Sequence, residues 1–387
     1  MSHPSLKITL SDISDFSDLS TSVSSQNLEY HLIHKNEFEK RLEDYQYLSL
    51  NDDTCKILTA TCKYLLSDGQ RNLMTDVLGA KNDEELQQLA QSIQTGILQP
   101  MLANGAQTPI PSPRPGLEDS IEALDAQYAD PASRDYQPIL RAHCLKRDGF
   151  SCVFSGAIDP DHQTHKDQKS APLEAAHIIP FSLGHWATDH ERHQKSQIWV
   201  NILRFFPALS RRLERQHGNL DEDFNCINKE ENMIMMVAPL HVEFGKFHFI
   251  LEQTASENRY TVKRFNNFAK LCEIFLSETV SFSSHNTSYA LPSPELIALH
   301  AAVGNILHAS GQAEKIEKLL RDLADTRTIA WDGSTNLGAL LSVSQLSLYT
   351  SDPFAGTGKR STKSEEHPRP QLGTLAGSEN ERPKIQD

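Results

Sequence analysis

Three short segments in the middle of the chain carry residues that could do chemistry. They are RDGFSCVFSG (147–156), EAAHIIPF (174–181), and NKEEN (228–232) followed by PLHVEFG (239–245). A free imidazole has a pKa of about 6.5, so a histidine such as His177 or His241 could accept a proton or bind a metal ion near neutral pH. Each residue also has a plainer explanation. A histidine among apolar neighbours is usually a hydrogen-bonded core residue, and Asn232 could cap the segment that follows it.

In this order the three segments resemble the HNH nuclease family, which has a ββα-metal core, and especially the branch found in many filamentous-fungal proteins. The resemblance covers roughly residues 138–265. A helical stretch at 291–311, LPSPELIALHAAVGNILHASG, is similar to the C-terminal extension of that branch. Where many relatives carry a CxxC pair, this chain has Cys152 and Ser155, so we expect no structural zinc.

The resemblance implies a role for each residue. His177 would be the general base on a strand, Asn232 the middle catalytic residue of the motif, and His241 the metal ligand on a short helix. A neutral imidazole can take a proton from water, and one divalent ion (Mg²⁺, Mn²⁺ or Zn²⁺) would polarise the phosphate. Asn232 could either hold the loop that carries the base or ligate the metal. The expected activity is hydrolysis of phosphodiester bonds in nucleic acid, with DNA as the favoured substrate.

Two positions depart from the family pattern and keep an alternative open. Ala176 stands where many relatives have a metal-binding acid or histidine, and Gly245 stands where the fungal branch often has Asp. Glu174 could replace the missing ligand, but its odd offset from His177 places it on the opposite strand face unless the strand is bulged. The alternative is a degenerate HNH-fold protein that binds nucleic acid or a protein without cleaving. A helical scaffold with an accidental motif is a third hypothesis.

The sequence patterns around these residues predict an α+β, mainly helical fold. A ββα-metal-like module would be flanked by helical N- and C-terminal regions. The predicted divisions are a disordered start (1–25), a helical region (26–103), a linker (104–132), the module (133–270) with a helical insert (about 182–225), a helical extension (271–348) and a disordered tail (349–387).

Periodicity and capping signals predict the individual elements. Helices are expected after Asp53 or Thr54, after Asn82 or Asp83, from near Ser133 to Lys146, after Ser293, and over 312–325. The helix after Asp53 or Thr54 is expected to bury Leu58, Cys62, Leu65 and Leu66. The helix that ends near Lys146 is expected to bury Ile139, Leu140 and Leu145. Strands are expected over 150–154 and 173–179, and a hairpin over 247–251 and 259–265.

The insert carries a cluster of arginines that could follow a nucleic-acid backbone, because each phosphate contact adds salt-dependent affinity. These are Arg204, Arg211, Arg212 and Arg215. The alternative is an ordinary charged helix surface, since Glu214 lies among them.

Composition restricts the function classes further. The net charge of -14 argues against non-specific nucleic-acid binding by the whole chain, yet residues 134–270 hold 18 Lys and Arg against 17 Asp and Glu. No apolar run reaches the roughly 18–20 residues of a membrane span, and the first residues lack a secretory pattern. Six cysteines without a CxxC pair favour a reducing compartment, so we expect an intracellular protein in the cytoplasm or nucleus. The sequence does not predict the oligomeric state.

Overall fold

The fold is given by a computed structural model, which describes residues 25–103, 111–112, 116–127, 131–211 and 226–325. Both ends of the chain, predicted to be disordered, and the arginines at 212 and 215 lie outside this part. The helices are α1 (Ser25–Glu43), α2 (Thr54–Tyr64), α3 (Ser67–Gly79), α4 (Asp83–Ile93), α5 (Gln99–Leu102), α6 (Glu118–Gln127), α7 (Gln137–Arg147), α8 (Asp189–Phe205), α9 (Ala238–Gly245), α10 (Pro294–Ala309) and α11 (Gln312–Asp325). The strands are β1 (Leu173–His177), β2 (Met233–Val237), β3 (Phe249–Gln253), β4 (Arg259–Arg264) and β5 (Thr279–Ser281). The predicted α+β, mainly helical class is confirmed.

The predicted helix start at Asn82 is confirmed, and its local chemistry explains it. The Asn82 side chain accepts a hydrogen bond of 2.8 Å from the backbone N–H of Glu85, and three acidic residues occupy the first turn. Both features favour a helix N-terminus because they satisfy its free N–H groups and complement its dipole. Leu86, Leu89 and Ile93 then lie on the buried face of α4.

Two predicted core positions are wrong. Helix α2 ends at Tyr64, so Leu66 falls beyond its apolar face and is 54% exposed, while Leu58 and Cys62 are buried. In α7, Leu140 and Leu145 are buried but Ile139 is 51% exposed. In both regions the buried face is therefore narrower than the run of apolar residues suggested.

The long C-terminal helix α10 follows its capping signals. The Ser293 hydroxyl accepts a hydrogen bond from the N–H of Leu296, Pro294 occupies the first turn, and Gly311 follows the helix end with a φ of +70°. Helix α10 packs against both α2 and β3. A Cβ on Gly304 would lie 2.5 Å from Ile250 of β3, so glycine permits this close approach.

The strands form two small antiparallel sheets, with orders β1-β2 and β3-β4-β5. The β3–β4 hairpin matches the prediction. Its third strand, β5, pairs with β4 and lies beyond residue 270. The predicted module boundary at 270 therefore falls inside a sheet.

The strand predicted over 150–154 is not formed. Gly149 and Phe150 have φ values of +62° and +55°, and the segment makes only an isolated bridge between Ser151 and Ile158. Two successive residues in the left-handed region bend the chain into a turn, which excludes an extended strand. The Phe150 ring stacks on His162 with centroids 3.9 Å apart.

The predicted N-terminal region, helical insert and C-terminal extension share one hydrophobic core. Helix α6, inside the predicted linker, packs on α8 of the insert, and Arg192 of α8 donates a hydrogen bond of 3.0 Å to Asp125 of α6. Helix α3 also packs on α8. Within the described ranges, no helix combines the length and apolar character needed to cross a membrane.

Candidate active site

The three sequence segments meet at a ββα arrangement. Strands β1 and β2 pair antiparallel, residue for residue, with His177 opposite Met233 and Leu173 opposite Val237. Every residue of β2 is buried, and α9 follows β2 directly and packs back on both strands. Pro239 in the first turn starts this helix abruptly. Helix α9 therefore begins beside the start of β1, where Leu173 pairs with Val237, and runs back over the ribbon.

His177 lies at the last position of β1. Its side chain is partly exposed, but its Nε2 atom is buried and has no hydrogen-bond partner among the described residues. Burial, together with the nearby charge of His241, lowers the pKa of His177 to about 4. The ring therefore remains neutral at neutral pH and keeps an unshared electron pair, as a general base requires.

Asn232 is fully buried and fixes the chain that follows His177. Its Oδ1 accepts a hydrogen bond of 2.8 Å from the N–H of Ile179, and its Nδ2 donates to the carbonyls of Ile179 (3.0 Å) and Ile227 (3.1 Å). Its own carbonyl accepts from Ile178. Of the two roles that the sequence left open, the contacts favour loop holding, because both polar atoms of the amide are already in use.

His241 and Glu174 form a contact beside His177. His241 Nδ1 lies 2.6 Å from Glu174 Oε2, and the side chains are 33% and 48% exposed. Because a carboxylate only accepts, Nδ1 carries the proton and Nε2 is left available to a ligand. Metal-binding histidines are commonly oriented in this way by a carboxylate on the other ring nitrogen.

Glu174 contacts His241 from a strand without a bulge, whereas its service as a metal ligand in place of Ala176 stays a prediction. Strand β1 keeps regular pairing, yet Glu174 still contacts His241. Two-stranded ribbons twist strongly, so successive residues of a strand do not face strictly opposite sides. The long side chain of Glu174 then extends to His241 Nδ1.

These donors suit some metal ions better than others. In the part of the chain that the structure describes, no group of three or more His, Cys, Asp or Glu side chains could hold an ion together. Ala176 is buried and offers no ligand atom. Zn²⁺ usually takes three or four protein ligands, whereas Mg²⁺ commonly uses one or two and completes its shell with water and substrate oxygens. His241 Nε2 is therefore the ligand atom that this contact offers, because Glu174 occupies Nδ1 on the other side of the ring, and water and phosphate oxygens would complete the shell of an ion.

The RDG segment has a structural task that its charged sequence concealed. Arg147 and Asp148 are 0% and 4% exposed and form two hydrogen bonds of 2.7 and 2.8 Å. Arg147 also donates to the carbonyls of Met233, Glu230 and Ala290. The pair thereby ties α7 to the start of β2 and to the segment before α10.

Of the four arginines predicted to bind nucleic acid, the structure describes Arg204 and Arg211, and both contact helix α3. Arg204 of α8 donates to Asp76 of α3 at 3.1 Å, and Arg211 donates to Asp68 at 2.9 Å. Hydrogen bonding to Asp76 raises the pKa of Arg204. These contacts explain Arg204 and Arg211 as ties to the N-terminal helices, and phosphate binding by them stays a prediction.

Sequence reasoning missed a cationic group near the candidate base. The Phe181 ring packs edge-on against His177 at 6.0 Å, and the guanidinium of exposed Arg134 lies 5.2 Å from the centre of the same ring. His185 stacks on the ring as well, at 5.5 Å. Arg134 is distant in sequence from the three motif segments, so only the fold could have revealed its position.

The fold and the site thus define a ββα unit with a neutral histidine on the strand and a carboxylate-held histidine on the helix. In the comparison with family models, residues 152–252 match the model described as HNH endonuclease. The predicted resemblance is confirmed over these residues. No curated protein and no solved structure matches the chain.

Proposed function

We propose that this protein is a metal-dependent endonuclease that hydrolyses phosphodiester bonds of nucleic acid, with DNA as the favoured substrate. The observation that carries the proposal is the pairing of His177, neutral and with an unpartnered ring nitrogen, with His241, which Glu174 holds by its other nitrogen. The family match over 152–252 supports the same class of reaction.

In this mechanism His177 accepts a proton from the attacking water as the new bond from oxygen to phosphorus forms. The bond to the leaving sugar oxygen breaks, and that oxygen is released with its electron pair. Asn232 keeps His177 in place by holding the backbone at Ile179 on both its N–H and its carbonyl. Arg134 supplies positive charge near the base, which attracts the phosphate backbone.

His241 is the residue that would hold the metal ion, through Nε2. When bound, a hard cation such as Mg²⁺ or Mn²⁺ neutralises the phosphate and stabilises the departing oxygen. Glu174 fixes the ring of His241 in the tautomer that exposes Nε2.

The proposal is tested by incubating the full chain with supercoiled plasmid DNA, or with single-stranded RNA, in Mg²⁺, Mn²⁺ or Zn²⁺. We expect nicking of DNA that is faster in Mg²⁺ or Mn²⁺ than in Zn²⁺. His241→Ala should abolish it, and Glu174→Gln should lower it by about 10–100-fold, the usual effect of losing a residue that orients a ligand.

His165→Ala is the matched control, because His165 is exposed on a loop and should leave the rate unchanged. Absence of cleavage in every metal, or equal cleavage by His241→Ala, would contradict the proposal. Salt-sensitive DNA binding without any cleavage would instead support the non-cleaving alternative.

A further inference from the structure

A second feature lies outside the ββα unit. A cavity of about 410 Å³ opens between α2, α4 and the short helix α5 on one side and α11 on the other. Small-molecule sites typically measure about 300–1,000 Å³. Residues on the β1–β2 ribbon and on α9 do not line the cavity, so it is separate from the candidate active site.

Side-chain amides dominate the polar lining of this cavity. Five glutamines line it: Gln87, Gln91, Gln94, Gln99 and Gln312. Three of them are held in place, because Gln94 Nε2 donates to Gln312 Oε1 at 2.9 Å, Gln312 Nε2 donates to Asp53 at 3.0 Å and Gln87 Nε2 donates to Asp52 at 3.4 Å. The wall is therefore built from oriented amides.

The acidic residues of the lining are already engaged. The carboxylate of Asp53 accepts hydrogen bonds from the ammonium group of Lys315 and from the amide of Gln312. Asp52 accepts from the hydroxyl of Tyr45 at 2.6 Å and from the N–H of Thr54 at 2.9 Å. Both carboxylates are thus satisfied within the chain, which argues against a cation as the ligand.

Gln99 supplies an independent sign that something binds here. It lines the cavity and is only 4% exposed, yet its Oε1 has no hydrogen-bond partner among the described residues. A buried acceptor left unpaired is costly, and native structures rarely tolerate one without a reason. Gln99 directly follows a π-helix over Gln94–Leu98, an irregularity often found at functional sites.

We propose that this cavity binds a nucleobase-bearing small molecule, a nucleoside or nucleotide. Amides offer a donor and an acceptor side by side, which match the N–H and C=O groups along the edge of a base. Ile57, Ile316 and Leu319 add apolar surface against which a flat ring can pack. Lys318, exposed at the lining, places a positive charge where the phosphate of a nucleotide could reach it.

Isothermal titration calorimetry of the full chain tests this proposal. The probes are adenosine, guanosine, cytidine and thymidine, their 5′-monophosphates, and ribose as a ligand without a base. We expect saturable binding of at least one nucleoside, tighter binding of its monophosphate, and no binding of ribose. Lys318→Met should remove the advantage of the monophosphate.

Gln99→Met is the decisive variant, because it keeps the side-chain length and removes the unpaired acceptor. We expect nucleoside affinity to fall at least tenfold while the thermal unfolding midpoint without ligand stays equal or rises. Gln94→Ala, which removes the contact to Gln312, should weaken binding as well. Gln70→Ala, on α3 and outside the lining, should bind as the wild type does.

The site is distinguished from the proposed cleavage site by repeating the titration with His177→Ala. Unchanged nucleoside binding in that variant supports a separate site, whether or not the protein cleaves DNA. Binding lost in His177→Ala but kept in Gln99→Met would overturn the proposal. It is also overturned if no nucleoside saturates at millimolar concentration or if ribose binds equally well.

Discussion

Two groups of polar residues lie at or against the β1–β2 ribbon and differ in how far their hydrogen-bonding capacity is used. Arg147 and Asp148 are buried, and Arg147 donates to Asp148 and to three backbone carbonyls. His177 is half-buried, yet its buried Nε2 has no partner in the described part of the chain, and the contact of its neighbour His241 with Glu174 uses one ring nitrogen. The first group thus uses its hydrogen-bonding capacity within the protein, whereas the second keeps a ring nitrogen without a partner among the described residues.

This difference in hydrogen bonding distinguishes residues that stabilise the fold from residues that could take part in catalysis. A buried charge is stable only when paired, so the contacts of Arg147 and Asp148 serve to hold α7, β2 and the C-terminal segment together. A base and a metal ligand must keep an atom free for the substrate. Variants of the first group should therefore lose stability, and variants of the second should lose activity.

The largest effect is expected from Arg147→Met. It leaves Asp148 buried without its partner and removes the donors to Met233, Glu230 and Ala290. Breaking a buried ion pair in this way costs about 3–5 kcal/mol. Urea denaturation followed by circular dichroism measures the loss.

The matched control for that experiment is Arg71→Met. Arg71 pairs with Asp68 on the surface of α3, where its side chain is 54% exposed. Exposed pairs contribute under about 1 kcal/mol, so this variant should remain close to the wild type. Equal losses in the two variants would remove the distinction between the buried pair and a surface pair.

A smaller loss is expected from Asn232→Ala. It leaves the N–H and the carbonyl of Ile179 and the carbonyl of Ile227 without their side-chain partner, at a cost of about 2–3 kcal/mol. Asn232→Asp separates the two roles that the sequence allowed. A loop holder loses stability on this change, whereas a metal ligand would gain affinity for Mn²⁺, which calorimetric titration would show.

The pH dependence of stability gives the next smaller effect. His300 lies between the rings of Phe244 and Phe247, at 4.0 and 4.2 Å, and burial lowers its pKa to about 3, despite a hydrogen bond to the Phe244 carbonyl that acts in the opposite direction. In the unfolded chain the pKa is about 6.5, so the unfolded state binds the extra proton first as the pH falls.

His300 therefore destabilises the protein progressively below pH 6.5, by about 1.4 kcal/mol for each pH unit, until the folded pKa is reached. His300→Phe keeps a flat ring in the stack and should reduce the slope of unfolding free energy against pH by this amount between pH 6.5 and 5. Gln70→Ala, a control that removes no titratable group, should keep the wild-type slope. An unchanged slope in His300→Phe would show that His300 is protonated in the folded state as easily as in the unfolded one.

Much of the secondary structure could be predicted because it is locally encoded. The caps at Asn82 and Ser293 and the alternation in β3 and β4 act over a few residues, and those elements formed as expected. The strand expected over 150–154 did not form because Phe150 adopts the left-handed region, and an alternating apolar pattern does not reveal such a conformation. The pattern carries no information about the sign of φ.

The candidate site was only partly visible in the sequence. His177, Asn232 and His241 carried a recognisable motif, and the fold brings them together. The contact between Glu174 and His241 depends on the twist of the ribbon, and the position of Arg134 depends on tertiary packing. The burial of Arg147 was hidden for a related reason, because a charged residue at a helix end is usually solvated.

The most direct test of the account is to measure cleavage and stability together for His177→Ala. If His177 is a general base with little structural role, plasmid nicking in Mg²⁺ or Mn²⁺ should fall by about 10²–10⁴-fold. The free energy of unfolding should change by less than about 1 kcal/mol, since the ring nitrogen Nε2 makes no hydrogen bond within the described residues that the variant could lose. A variant that nicks DNA at the wild-type rate, or one that loses activity only because it unfolds, would contradict the account.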